Sequence, residues 1–386
     1  MRRFLVLAVM LIAGGILRIV IQESGLPGQI LPAKPGGVVA ATLHAEVNRP
    51  NLSSIDGRTV TRKETVPTGC PDSRTTTIAS NAVDLLSSLR STAESRGGLY
   101  KVAQIGWRPD WSPAGDRILF LSSQPSPGLF VFDLESRKSV LIIQASDIWS
   151  ARFSPDGKKI AFSRRGQGIF IHDIDAGTKQ VSPRAGAFLQ WSPDGRYIIS
   201  ATKMLSPISE PLVLLDLTTR AERRVSFGMA SPRGRLEGGQ FAWASATSIV
   251  RQPPRGTWGG LNDLSDDALA CFDVETGQLA GSIRVAGVFG RRRCYFPEIS
   301  PDGASVACSA GEPLSFVSST GAARMIGNTC EAIWSPDGAM LVGSTHGCST
   351  KTNPNDDTSG VWVMLATNSY TMDSFFSAVR LSVLKR

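Results

Sequence analysis

Histidine is scarce, with only His44, His172 and His346 in 386 residues. They lie far apart in sequence, so a metal held by several imidazoles is not expected, and His172 reads as a satisfied core residue in an apolar strand. Other signatures of chemistry are missing too. There is no Gly-x-Ser-x-Gly elbow, no phosphate-binding loop ending in Lys-Ser/Thr, no His-Glu-x-x-His and no Cys-x-x-Cys. The chain is therefore expected not to be an enzyme and to need neither metal nor cofactor. Charge is also sparse, at 19% of residues, and the net +8 falls to +5 once the first 39 residues are set aside. Such a balance suits a solvated surface or a taste for anionic partners and gives no reason to expect nucleic acid. Against this, 42% hydrophobic residues can fill a core, and Gly 38 with Pro 23 suits many turns between short strands. All-β is the fold class implied.

No cysteine precedes Cys70, which excludes a lipid-anchored N-terminal cysteine. Met1-Arg2-Arg3 followed by the apolar run Phe4 to Ile21 has the pattern of an export segment, with the basic start held in the cytoplasm. Residues 1–23 are expected to be a signal anchor or a signal peptide. The anchor is favoured because the nearest small-x-small site, Val39-Ala40-Ala41, is far downstream. Residues 24–97, rich in proline and polar residues, read as a flexible linker carrying a short amphipathic helix from Asn81 to Ser95. The expected location is then the periplasmic or extracellular side of a membrane, where six cysteines suit disulfides.

From Gly98 to Arg386 one phrase returns: Trp111-Ser-Pro-Ala-Gly115, Phe153-Ser-Pro-Asp-Gly157, Trp191-Ser-Pro-Asp-Gly195, Ile299-Ser-Pro-Asp-Gly303 and Trp334-Ser-Pro-Asp-Gly338. A degenerate copy, Phe241-Ala-Trp-Ala-Ser-Ala246, falls in the wide gap. The spacings of 42, 38, 52, 56 and 35 residues are those of propeller blades. Proline fixes φ, aspartate shapes the turn, and glycine takes the left-handed position that ends it. Asp156, Asp194, Asp302 and Asp337 are accordingly turn residues, and Trp111, Phe153, Trp191 and Trp334 are packing residues. Six copies predict a six-bladed β-propeller of four-stranded blades, with a strand near Leu99 to Ile105 joining the last blade.

The repeat resembles that of TolB-type propellers, which also occurs in dipeptidyl-peptidase IV-like and tricorn-like proteins. It covers residues 98–386, but unit four lacks the Pro-Asp-Gly turn, unit one has Ala114 for aspartate, and the α/β domain of TolB has no counterpart. The resemblance implies a platform. The peptidase relatives carry their triad in an appended domain, which is not expected here. Propeller lyases similar to oligogalacturonate lyase need channel imidazoles, which this sequence is short of.

Function is then sought in the long loops expected around the channel mouth. These carry Arg233, Arg235, Arg255, Trp258, Arg291, Arg292, Arg293 and Tyr295, a set suited to carboxylates or anionic polymers. The leading expectation is a monomeric, membrane-tethered scaffold or receptor for a protein, a peptide or an anionic envelope ligand. A polysaccharide lyase or hydrolase and a purely structural envelope component are the alternatives. Among the thiols, the turn at Pro301-Asp302 places Cys294 opposite or beside Cys308, and Cys330 and Cys348 flank the next hairpin, so both pairs are candidate disulfides.

Overall fold

The computed structural model describes residues 7–13, 16–22, 80–184, 186–201, 212–225, 241–251, 268–284, 295–309, 315–319, 322–327, 329, 331–345 and 359–367. The chain divides into two units, Met1–Lys63 and Glu64–Arg386.

In the first unit, β1 (Leu7–Ala13) pairs antiparallel with β2 (Ile16–Gln22), from Leu7 opposite Gln22 to Ala13 opposite Ile16. The apolar membrane segment expected over residues 4–21 is corrected by this pairing, and no helix among the described residues is long and apolar enough to cross a membrane. Val9, Ile12, Ile16, Ile19, Val20 and Ile21 are β-branched and favour a pleated backbone, and Gly14-Gly15 sits in the sequence between the strands.

The second unit begins with helix α1 (Ser80–Ser95) and strand β3 (Leu99–Ala103). Blade 1 follows as β4 (Trp107–Trp111), β5 (Arg117–Ser122), β6 (Gly128–Asp133) and β7 (Lys138–Gln144). Blade 2 is β8 (Ile148–Phe153), β9 (Lys159–Arg164), β10 (Gly168–Asp173) and β11 (Gly177–Ser182). Blade 3 is β12 (Ala187–Trp191), β13 (Tyr197–Ala201), β14 (Leu212–Asp216) and β15 (Glu222–Val225). Blade 4 is β16 (Phe241–Trp243), β17 (Ser248–Arg251), β18 (Ala268–Asp273) and β19 (Leu279–Arg284). Blade 5 is β20 (Tyr295–Ile299), β21 (Val306–Ser309), β22 (Ser315–Ser319) and β23 (Ala322–Gly327). Then come β24 (Ala332–Trp334), β25 (Met340–Ser344) and β26 (Val361–Leu365), whose outer neighbour is β3.

The protein is thus an all-β propeller of four-stranded sheets, but the six self-contained blades expected from the motif copies are corrected to five. Only five sheets consist of four consecutive strands, and the last sheet is a composite in the order β24-β25-β26-β3. The described chain after Ser335 supplies too few strands to complete that sheet, so the missing one comes from before blade 1. We refer to it as the closing sheet.

The motif turns explain the local folding. In blade 2, Ser154 Oγ donates to Asp156 Oδ1 (2.5 Å) and accepts from the Lys159 amide (2.9 Å), while Gly157, at φ +69°, donates its amide to the Ser154 carbonyl. The same bonds recur at Ser192/Asp194, Ser300/Asp302 and Ser335/Asp337, with Gly195, Gly303 and Gly338 also left-handed. Where Ala114 replaces the aspartate, Ser112 Oγ donates instead to Asp116 Oδ1 (2.7 Å). In blade 4, Ser245 and Ser248 hydroxyls bond each other at 2.6 Å in place of the motif. Each pair of neighbouring sheets then shares an apolar cluster, as Leu129, Val131, Ile160 and Phe162 do between blades 1 and 2.

Candidate functional site: the central channel and its mouth

The innermost strands β4, β8, β12, β16, β20 and β24 run beside the ring axis and end in the motif turns. Two positions on them face the channel. The residue two before each motif serine is Asp110, Arg152, Gln190 or Glu298 in blades 1, 2, 3 and 5. Two residues earlier stand Arg108, Phe188, Phe296 and, in the closing sheet, Glu331.

The earlier position closes the channel. Arg108, Phe188 and Phe296 have φ of 55°, 56° and 51°, and each lies in a register shift between its strand and the next, at Trp107/Asp110, Ala187/Gln190 and Tyr295/Glu298. Left-handed backbone at bulky residues costs about 1–3 kcal/mol apiece. The return is that three bulges on alternate blades aim their side chains at the axis. There the Arg108 guanidinium lies 4.2 Å from the Phe188 ring centre and 5.2 Å from that of Phe296, and the two rings meet edge-on at 5.3 Å. Arg108 also pairs with the carboxylate of Glu331. Cation–π attraction is strong in such a desolvated place. Burial pulls the Arg108 guanidinium below its usual pKa, and Glu331 opposes that.

Between this plug and the motif turns the channel is lined with charge. The Phe153 amide donates to Asp110 Oδ2 (2.9 Å), and Arg152 Nη1 donates to the Pro109 carbonyl (3.1 Å). Gln190 Nε2 donates to the Phe241 carbonyl (2.9 Å) and reaches Glu298 Oε1 across the ring (3.3 Å). Burial pushes the Asp110 carboxyl up to about 6, against the pull of Arg152. Burial acts to lower Arg152, but Asp110, Glu331 and Glu298 together hold it above its usual value. Trp191 Nε1 donates to the Arg152 carbonyl (3.3 Å) and Trp334 Nε1 to that of Glu298 (3.1 Å), tying inner strands to their neighbours.

The channel opens at the motif turns into a cavity of about 580 Å³. Its rim carries the turn prolines Pro113, Pro155, Pro193, Pro301 and Pro336, and Arg152, Gln190 and Glu298 line it with Asp110. No group of His, Cys, Asp and Glu able to hold a metal occurs among the described residues. His172 is half-buried, its Nδ1 2.9 Å from Thr178 Oγ1 on the outer strand.

Arg233, Arg235, Arg255, Trp258, Arg291, Arg292 and Arg293 lie outside the described residues, and Tyr295 opens β20. Cys294, Cys330 and Cys348 also lie outside them. Cys308 is disulfide-bonded and buried, as is Cys271, and both belong to the apolar cluster between blades 4 and 5. The channel charges were not singled out from the sequence, although the residue two before each motif serine, read down the copies, carries the signal.

No protein-family model matches this chain, and no curated protein matches its sequence. Among solved structures it is similar to β-propeller domains. The chain is similar to the β-propeller domain of Myceliophteria thermophila Cps50 (Swd1), with a TM-score of 0.41 and 14% identity over 67% of this chain and 82% of that one. It is similar also to the WD40 repeats of RRP9, with a TM-score of 0.47 and 13% identity over 69% of this chain and 97% of that one.

Proposed function

We propose that the propeller is a scaffold that holds a protein or peptide segment at the mouth of its channel. The observation that carries this reading is the open cavity rimmed by prolines above a charged floor. Proline rings are rigid and apolar, so a chain laid on them loses little order to the surface. Arg152, Gln190 and Glu298 offer one cation, one amide and one anion to whatever side chain reaches down. The plug of Arg108, Phe188 and Phe296 blocks the axis, which favours a ligand that rests on the mouth over one that threads through.

The Ser-Pro-Asp-Gly turns support a TolB-type repeat, and the disulfide-bonded Cys271 and Cys308 support export to an oxidising compartment. An anionic partner is supported by sequence alone, through the arginines 291 to 293.

A photo-reactive phenylalanine placed at Pro301 on the rim, and at Lys138 on an outer strand as control, tests the scaffold. Discrete protein adducts in intact cells are expected from the rim only. Equal labelling from both positions, or none from the rim, would refute it.

A further inference from the structure

Because the sheets repeat, every surface groove has counterparts at known residues, and one groove is already filled by the chain itself. Helix α1 lies between the closing sheet and blade 1, where Leu86, Leu89 and Ala93 share a cluster with Trp111, Phe132 and Leu134 on one wall and Val102 and Val363 on the other. Leu86 is seated so closely that a Cβ on Gly115 would meet its Cδ1 at 2.8 Å. Arg137, left-handed in the β6–β7 turn, donates to Ser88 Oγ (3.4 Å), and its guanidinium lies over the Tyr100 ring (5.2 Å).

The same geometry recurs between blades 2 and 3. Registered on the motif serines and strand pairing, Trp191, Leu215 and Leu217 stand where Trp111, Phe132 and Leu134 do, and Ile171 and Val181 replace Val363 and Val102. Arg220 stands where Arg137 does and shares its left-handed backbone, at φ 61°. Here these residues surround a cavity of about 530 Å³. Among the described residues a Cβ on Gly195 would touch nothing nearer than Pro155 Cδ at 3.8 Å, so the place that Leu86 takes beside Gly115 has no equivalent occupant among them.

Two differences set the chemistry of this groove. Lys159 replaces Met340 and pairs with Asp173 (3.4 Å), while Lys179 replaces Tyr100. Lys179 and Arg220 are exposed at the rim, and neither forms an ion pair among the described residues. The groove is thus apolar below, with Lys179 and Arg220 at one edge of its rim, while Asp156 and Asp194 line it at the motif turns and Asp216 is paired with Arg196.

We propose that the groove between blades 2 and 3 is a docking site for an amphipathic helix of a partner protein, with two leucines three residues apart, as in α1, and an acidic side chain facing Lys179 and Arg220. Apolar anchors in a half-closed groove supply the affinity, and the rim charges select the partner and speed its arrival. The groove adjoins the channel mouth and shares Pro155, Trp191, Pro193 and Asp194 with it, but Lys179 and Arg220 line the groove alone, so changes at those two leave binding at the mouth intact.

The probe is a labelled peptide of the α1 sequence, residues 80–95, carrying Ser88→Glu at the position that meets Arg137 in α1, titrated into the full chain by fluorescence anisotropy. Saturable one-to-one binding is expected. It should weaken about tenfold or more when the peptide carries Leu86→Asp and Leu89→Asp, since apolar anchors dominate such grooves. Lys179→Glu in the protein is an exposed change that leaves thermal unfolding in place. It should weaken the acidic peptide about fivefold at low salt and favour a Ser88→Lys peptide instead. No saturable binding, binding indifferent to the leucines, or binding unchanged by Lys179→Glu would each overturn the proposal. So would self-association of the chain that Lys179→Glu abolishes, because the occupant would then be a second copy.

Discussion

Asp110 occupies a position where a carboxylate is poorly solvated, and it is compensated by Arg152 and by the backbone amides of Phe153 and Trp111. Its folded-state pKa of about 6 stands above the unfolded value of 3.8. Between those values the folded protein keeps a proton that the unfolded chain has released, so stability falls as pH rises toward 6 and the penalty is complete above it. The gap corresponds to a cost on the order of 3 kcal/mol at neutral pH. Asp110→Asn is therefore expected to flatten the dependence of the unfolding midpoint on pH between about 4 and 6.5, measured by scanning calorimetry. Asp133 and Asp302 act in the opposite sense. Serine hydrogen bonds hold their carboxyls below the usual range, so they stabilise above that range and the contribution is lost as pH falls through it. Arg108 is the residue on which the plug turns. Arg108→Met would leave Glu331 buried without its cation, with Oε2 already lacking a hydrogen-bond partner, and should cost about 3–5 kcal/mol in urea unfolding. Adding Glu331→Leu should recover most of that loss, whereas persistence of the full loss would mean that the Phe188 and Phe296 contacts carry the stability.

At the scale of single elements, α1 and the motif turns constrain one another. Gly115 and Gly195 are equivalent, both left-handed at +82° and +71°, and differ chiefly in whether a leucine lies against them. Alanine at either site pays for the backbone conformation, about 1 kcal/mol or more. Gly115→Ala also drives into Leu86, so it should destabilise the fold more than Gly195→Ala. That excess should vanish in a Leu86→Ala background, as a double-mutant cycle by denaturant unfolding can show. This pair also marks how far the sequence could be read. The spacing of Ala82, Leu86, Leu89 and Ala93 announces an apolar helix face, but no local pattern says that it covers the seam between the first and last sheets. The turns were legible because five of their residues have fixed local jobs. The channel was not, because Arg108, Phe188 and Phe296 are aimed inward by bulges, and a bulge leaves no mark in an alternating strand pattern. The loop arginines are conspicuous instead, since charges outside strands stand out while Asp110, Arg152 and Glu298 look like ordinary outward positions.

At the scale of the whole molecule, closure depends on a strand remote in sequence. β3 covers β26 through pairs such as Tyr100 opposite Val363, Leu99 is buried in the cluster shared with blade 5, and Lys101 lies over the Trp362 ring at 4.9 Å. Without β3 the closing sheet would have three strands and a free edge of unpaired backbone groups, which invites pairing with other chains. The helix that seals the neighbouring seam would be lost with it. A chain beginning at Glu64 keeps both elements and should unfold in one transition at the midpoint of the full-length protein. A chain beginning at Gly106 lacks both, and should melt lower and over a broader range, with concentration-dependent aggregation in light scattering. Two causes are then separable. A synthetic peptide of residues 80–105 added in trans should restore the sharp transition and suppress aggregation if closure is the defect, because strand and helix can dock together on the exposed edge and seam. A chain from Gly106 that melts like the full-length protein would show that the ring stands without its borrowed strand.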